Sequence, residues 1–138
     1  MSLKFLLDAN VISEPLRPQP HPGVLRKLRL HGDEIAIAAV TWHELRYGAA
    51  RLPASRRRTA IERYLEEVVA ATMLILEYDR AAAEWHADEK ARLVTRGQTP
   101  SFADGQIAAT ARVNDLALVT FNGADFRRFE GIRILTWR

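Results

Sequence analysis

The sequence predicts an α/β fold with a mostly parallel sheet covered by helices on both faces. Three observations carry this. Short apolar runs of strand length recur along the 138 residues, at Leu3–Leu7, Ile35–Val40, Met73–Leu76, Leu116–Thr120 and Ile132–Leu135. Segments with helical spacing and helix-start residues separate them. The runs are almost wholly apolar, as expected of strands buried on both faces and joined by helical crossovers.

The elements follow in order. Leu3 to Leu7 reads as the first strand and ends at Asp8-Ala9-Asn10. Four prolines at 15, 18, 20 and 22 make the next stretch a rigid loop. A basic amphipathic helix is expected from Gly23 to His31, a strand from Glu34 to Ala38, and a helix from Thr41 to Arg51. Pro53 breaks that helix. Ser55 then caps another that reaches Ala70, with Ile61, Leu65, Val68 and Val69 at helical spacing. Met73 to Leu76 reads as a buried strand, and Asp79 starts a helix through Leu93. Gly97 to Pro100 is a turn, and Ser101 opens a helix to Asn114. Leu116 to Val119 and Ile132 to Leu135 complete the sheet. No repeat, low-complexity tract or linker interrupts this order, so residues 1–138 are expected to form a single domain.

Composition narrows the class. Hydrophobic residues at 48% and charged residues at 27% suit a globular protein with a real core. The absence of cysteine excludes disulfides, thiolate zinc sites and cysteine nucleophiles, and suits a reducing cytoplasm. No apolar stretch approaches the roughly 20 residues that span a bilayer, and the opening residues do not read as a signal peptide. The net charge is only +3, yet Arg51, Arg56–Arg58 and Arg63 cluster, as do Arg26, Lys27 and Arg29. Such clusters suit a polyanionic partner or merely coat a solvated helix face.

The acids are placed for chemistry. In parallel sheets, sites form in the crevice beyond the carboxyl ends of the strands. Asp8 follows the first strand, Asn122 and Asp125 follow the fourth, and Glu44 lies within a helical turn of the second. Asp104 opens the helix after Ser101. Capping competes with catalysis for several of them. Thr41-x-x-Glu44 has the form of a capping box, Ser101-x-x-Asp104 is a looser version, and Asp125 could cap the turn after Asn122. Asp8, at the edge of the core, requires donors, a partner cation or a metal, and Asn10 offers a neutral partner. If the acids converge, hard carboxylate oxygens favour magnesium or manganese, which activates water and neutralises charge on a phosphoryl group. The four histidines show no metal-ligand pairing, and there is neither a glycine-rich phosphate cradle nor a G-x-S-x-G element.

These residues resemble the PIN-domain ribonucleases, in particular the VapC-type toxins of bacterial toxin–antitoxin systems. Four segments carry the resemblance, in order and over nearly the whole chain: Leu6 to Glu14 around Asp8; Thr41-x-x-Glu44-Leu45-x-x-Gly48; Ala103-Asp104-x-x-Ile107 to Ala111; and Leu118 to Phe126 around Asn122 and Asp125. Ile12 to Pro18 is similar to the FitB-like branch, which acts with a DNA-binding partner.

The resemblance implies a three-layer α/β/α sandwich and a Mg²⁺- or Mn²⁺-dependent endoribonuclease. Asp8 and Asp104 would contact the metal, with Glu44, Asn122 and Asp125 completing the catalytic group and Asn10 and Thr120 orienting the acids. It further implies a cytoplasmic homodimer with an RNA substrate, a cognate VapB-type antitoxin, and contact with operator DNA through that antitoxin alone. Two departures stand out. Ala9 occupies a position where the family often has threonine, and the uncharged Asn122 one where it often has aspartate. The second departure keeps open a non-catalytic module that dimerises its antitoxin and supports operon repression. A phosphatase of the haloacid-dehalogenase type also opens on an aspartate after a strand, but it requires a second one where Asn10 stands.

Overall fold

The computed structural model describes residues 2–138. Five strands, β1 (Phe5–Leu7), β2 (Ile35–Ala38), β3 (Leu74–Leu76), β4 (Ala117–Val119) and β5 (Ile134–Leu135), form one sheet in the order β3-β2-β1-β4-β5. All four pairings are parallel. The helices are α1 (Ala9–Ile12), α2 (Pro22–Leu30), α3 (Ala39–Ala50), α4 (Arg56–Tyr64), α5 (Arg80–Thr95) and α6 (Phe102–Val113). A wide π turn, Leu65–Ala70, continues α4 toward β3.

The alternation of side chains along each strand builds two cores. Leu7, Ile35, Ile37 and Val119 point to one face and meet Val11, Val24, Leu45, Leu65 and Val69 from the helices there. Leu6, Ala36, Ala38 and Leu118 point to the other, where Leu93 of α5, Ile107 and Ala108 of α6, Phe126 and Phe129 cover them. The three-layer sandwich expected of the sequence is therefore present. It arises because the central strands bury apolar residues on both faces.

The expected elements all occur, with informative differences at their edges. β3 lies at the rim of the sheet and leaves Leu74 exposed, so it is an edge strand and not a buried one. Ser55, Asp79 and Ser101 cap α4, α5 and α6 as anticipated, accepting from the backbone of Arg58, Ala82 and Asp104. The exception is α3. It begins at Ala39, directly after β2, with Ala38 at its start and no side-chain cap. Thr41 thus lies inside the helix, fully buried, and its hydroxyl finds no hydrogen-bond partner. The Thr41–Glu44 capping box does not form, and Glu44 is left without a capping duty.

The order of strands fixes where a site can sit. The chain adds β2 and β3 on one side of β1, then crosses back to place β4 and β5 on the other. The crevice between the carboxyl ends of β1 and β4 is the switch point of this topology, the place where parallel sheets open a cleft.

Candidate metal centre

Asp8 stands at that switch point. Its backbone N–H extends the β1–β4 ladder by donating to Val119 O at 2.9 Å. Its side chain is 8% exposed. Oδ1 accepts from the Ala9 N–H at 2.8 Å, and Oδ2 accepts from the Thr120 hydroxyl at 2.8 Å. Thr120 Oγ1 in turn accepts from the Asn122 N–H at 3.0 Å. The donors that a carboxylate in this place requires are therefore one backbone amide and one hydroxyl. Both leave lone pairs on the oxygens for another ligand.

Asn10 does not bond to Asp8. Its Oδ1 accepts from the Phe121 N–H at 3.4 Å, which ties α1 to the segment leaving β4. Its support of Asp8 is indirect, through the loop that carries Thr120 and Asn122.

Glu44, on the first half of α3, and Asp104, in the first turn of α6, reach the same cleft from the β2–α3 junction and from the loop between α5 and α6. Glu44 is an exposed residue, but partial desolvation of its carboxyl in the cleft raises it above the ordinary value, and the charges of Asp8 and Asp104 raise it further, with His43 opposing. Asp104 is also raised, by burial first. The Ser101 hydroxyl opposes this, Asp125 and Asp8 add to it, and Arg128 counteracts it. Each of these two acids feels two others, so Asp8, Glu44, Asp104 and Asp125 share one field. Among the described residues none of the four forms an ion pair with a lysine or arginine.

Asn122 and Asp125 bracket a short 3-10 turn, Gly123–Asp125, and both are exposed. Asp125 is the last residue of that turn and caps nothing; its charge is felt at Asp104 instead. Among the described residues no three acids or histidines are already gathered at a metal's coordination distance. The donor set still suits a hard divalent cation: carboxylate oxygens that repel one another and, among the described residues, form no ion pair with a lysine or arginine, with Arg128 only offsetting Asp104 from a distance.

His43 and His86 make packing contacts. His43 is exposed and stacks on Tyr47. His86 is buried, takes a 2.8 Å hydrogen bond with the Tyr78 hydroxyl through Nδ1, and lies against Gly105, next to Asp104.

Two features of the surroundings were not legible in the sequence. A cavity of about 570 Å³ beside Glu44 is walled by Leu45, Ile61 and Leu65 and edged by Arg17 and Arg57. Arg128 lies close enough to affect Asp104, although nothing in the Arg127-Arg128 pair marks it as part of a site. The arginine run of α4 is partly spent on its own helix: Arg58 bonds to Leu52 O and pairs with Glu62, and Arg63 pairs with Glu67.

The PIN-domain family profile matches residues 5–132. The chain belongs to the PIN-domain family. Toxin FitB of Neisseria gonorrhoeae is 36% identical to this PIN-domain chain over 125 residues, covering 88% of this chain and 90% of the toxin. The tRNA(fMet)-specific endonuclease VapC of Shigella flexneri is 32% identical over 135 residues, covering 98% of both. Among solved structures, that of DNA-bound VapBC from Salmonella typhimurium superposes with a TM-score of 0.83 at 30% identity, covering 99% of both chains. The PIN fold expected from the four sequence segments is thereby established.

Proposed function

We propose that this PIN-domain chain is an endoribonuclease toxin that requires Mg²⁺ or Mn²⁺ and works in the cytoplasm. The observation that carries this reading is the convergence of Asp8, Glu44 and Asp104, from three separate connections, on one cleft where, among the described residues, none of them is in ion-pair contact with a lysine or arginine. The likeness to a VapC endonuclease and a FitB toxin supports it.

Asp8 and Asp104 hold the metal, and Glu44 completes the acidic group from α3. Asn122 and Asp125 close the cleft, Asn122 as a neutral acceptor and Asp125 as the charge that Asn122 lacks. Thr120 fixes the rotamer of Asp8, and Asn10 fixes the loop that carries Thr120. A divalent cation held there supplies activation of water and neutralisation of charge on the phosphoryl oxygens.

Because this chemistry makes no use of the ribose 2′-hydroxyl, the RNA products should end in 5′-phosphate and 3′-hydroxyl groups. Cyclic 2′,3′-phosphate ends on the cleaved RNA would reject it.

The partner in this reading is a VapB-type antitoxin that contacts operator DNA, in keeping with the DNA-bound VapBC complex, and the toxin itself pairs as a homodimer. Co-purification with the product of the adjacent gene tests the partnership. A non-catalytic module that only dimerises the antitoxin is the second reading, favoured by the uncharged Asn122. Calorimetric titration with Mn²⁺ separates the two, since such a module has no need of metal at its acids.

A further inference from the structure

The acidic cleft repels the polyanion on which a nuclease acts, so basic groups beside it must hold the strand. The arginine-rich helix α4 offers Arg57 at the cavity beside Glu44, while Arg58 and Arg63 are taken up by Glu62 and Glu67. A second place also meets the requirement. Beyond the carboxyl ends of β4 and β5 lies a cavity of about 500 Å³, lined by Thr120, Phe121, Arg127, Ile134 and Thr136. It adjoins the cleft directly, because Thr120 belongs to both: it lines this cavity and bonds to Asp8. No acidic residue lines it.

Among the described residues, Arg127 is the only charged one lining the cavity. It is solvent-exposed and, among the described residues, forms no ion pair, although Asp125 is two positions away. A β-carbon at Gly123 would stand 3.7 Å from Arg127 Nη2 and 3.6 Å from Ile134 Cγ2, so the head group lies along the turn that follows Asn122. Phe121, another lining residue, is covered by Arg138, which stacks on it at 4.1 Å and pairs with the buried Glu14 at 3.7 Å. A cavity with one uncompensated guanidinium, next to the acids, is suited to one backbone phosphate of a single strand.

We propose that this cavity is a subsite for the RNA segment adjoining the cleavage point, with Arg127 gripping a backbone phosphate. The inference rests on the ribonuclease reading above. Arg127 binds the strand and takes no part in the bond-breaking step, so its loss weakens RNA binding at every sequence alike.

The test uses the full chain carrying Asp104→Asn, so that bound RNA stays intact, and a short labelled single-stranded RNA of mixed sequence. Fluorescence anisotropy across a salt series reads both affinity and the number of phosphates neutralised. Adding Arg127→Ala should lower affinity about tenfold and reduce the slope of log affinity against log salt by about 0.7, the value of one single-strand phosphate contact. Arg127→Lys should restore most of the slope, because it restores the charge. An unchanged affinity and slope in the alanine variant would overturn the subsite. So would normal RNA binding together with lost capture of the antitoxin, which would assign the cavity to the protein partner. If the parent Asp104→Asn chain binds no RNA at all, the ribonuclease reading falls, and the subsite with it.

Discussion

Thr120 and Asp8 lie 112 residues apart in sequence and are joined by a 2.8 Å hydrogen bond inside the protein. The two residues extend the register in which Leu7 faces Val119, so the bond bridges the ends of two adjacent parallel strands. A hydroxyl at position 120 does two things there. It donates to a nearly buried carboxylate, and it accepts from the Asn122 amide that begins the next turn.

Thr120→Val should therefore cost more than its near-identical shape suggests. It leaves one oxygen of Asp8 and the Asn122 N–H without partners, a loss of about 1–3 kcal/mol for a buried polar group. Thr120→Ser keeps the hydroxyl and should recover most of it. Urea unfolding of the three proteins measures the loss, and RNA cleavage should fall in the valine variant alone.

Asp8→Ala and Asp104→Asn should each reduce RNA cleavage to background and abolish growth arrest on induced expression. Both variants should retain the circular dichroism of the parent, since the two cores are formed by other residues. Toxicity that survives both substitutions would reject the assignment of these acids.

The raised carboxyls of Glu44 and Asp104 fix the sign of a pH effect. A carboxyl raised in the folded state binds its proton more tightly there than in the unfolded chain. Its contribution to stability is then present at low pH and is lost as pH rises from the ordinary value, 4.5 for Glu44 and 3.8 for Asp104, through the raised one. At neutral pH Asp104→Asn should thus be more stable than the parent in urea, and the advantage should vanish below the ordinary carboxyl range. Mn²⁺ should stabilise the parent and leave Asp104→Asn almost unaffected, because only a protein that binds the ion gains from it.

Gly105→Ala tests the seat of Asp104. A β-carbon at 105 would overlap the imidazole of His86, so α5 and α6 must move apart or the ring must swing out. The expected cost is about 1–3 kcal/mol, as for other overpacked cores. Combining it with His86→Ala should be less destabilising than the sum of the two single changes, which a double-mutant cycle in urea will show.

Much of this protein can be read from its chain because its strands are short, apolar and separated by strong caps. Ser55, Asp79 and Ser101 each begin the helix they announce. Glu44 shows where such reading stops. Thr41 and Glu44 have the spacing of a cap, but β2 passes straight into α3 two residues earlier, and the geometry of the sheet overrides the local signal. Asn10 is similar: its position next to Asp8 suggests a direct bond, whereas the turn of α1 aims it at Phe121. The closeness of His86 to Gly105 and the cavity around Arg127 depend on how distant segments approach one another. No local pattern records them.

The strand order has a further consequence for how this fold is made. Asp8 leaves the ribosome 112 residues before its hydroxyl donor Thr120, and the strand that flanks it, β4, follows just as late. A nascent chain that has not yet delivered β4 has β1 at the margin of its sheet and Asp8 without Thr120. The complete site is thus assembled only once β4 and Thr120 have been synthesised, and a product cut short before them would carry Asp8, Glu44 and Asp104 without the frame that arms them.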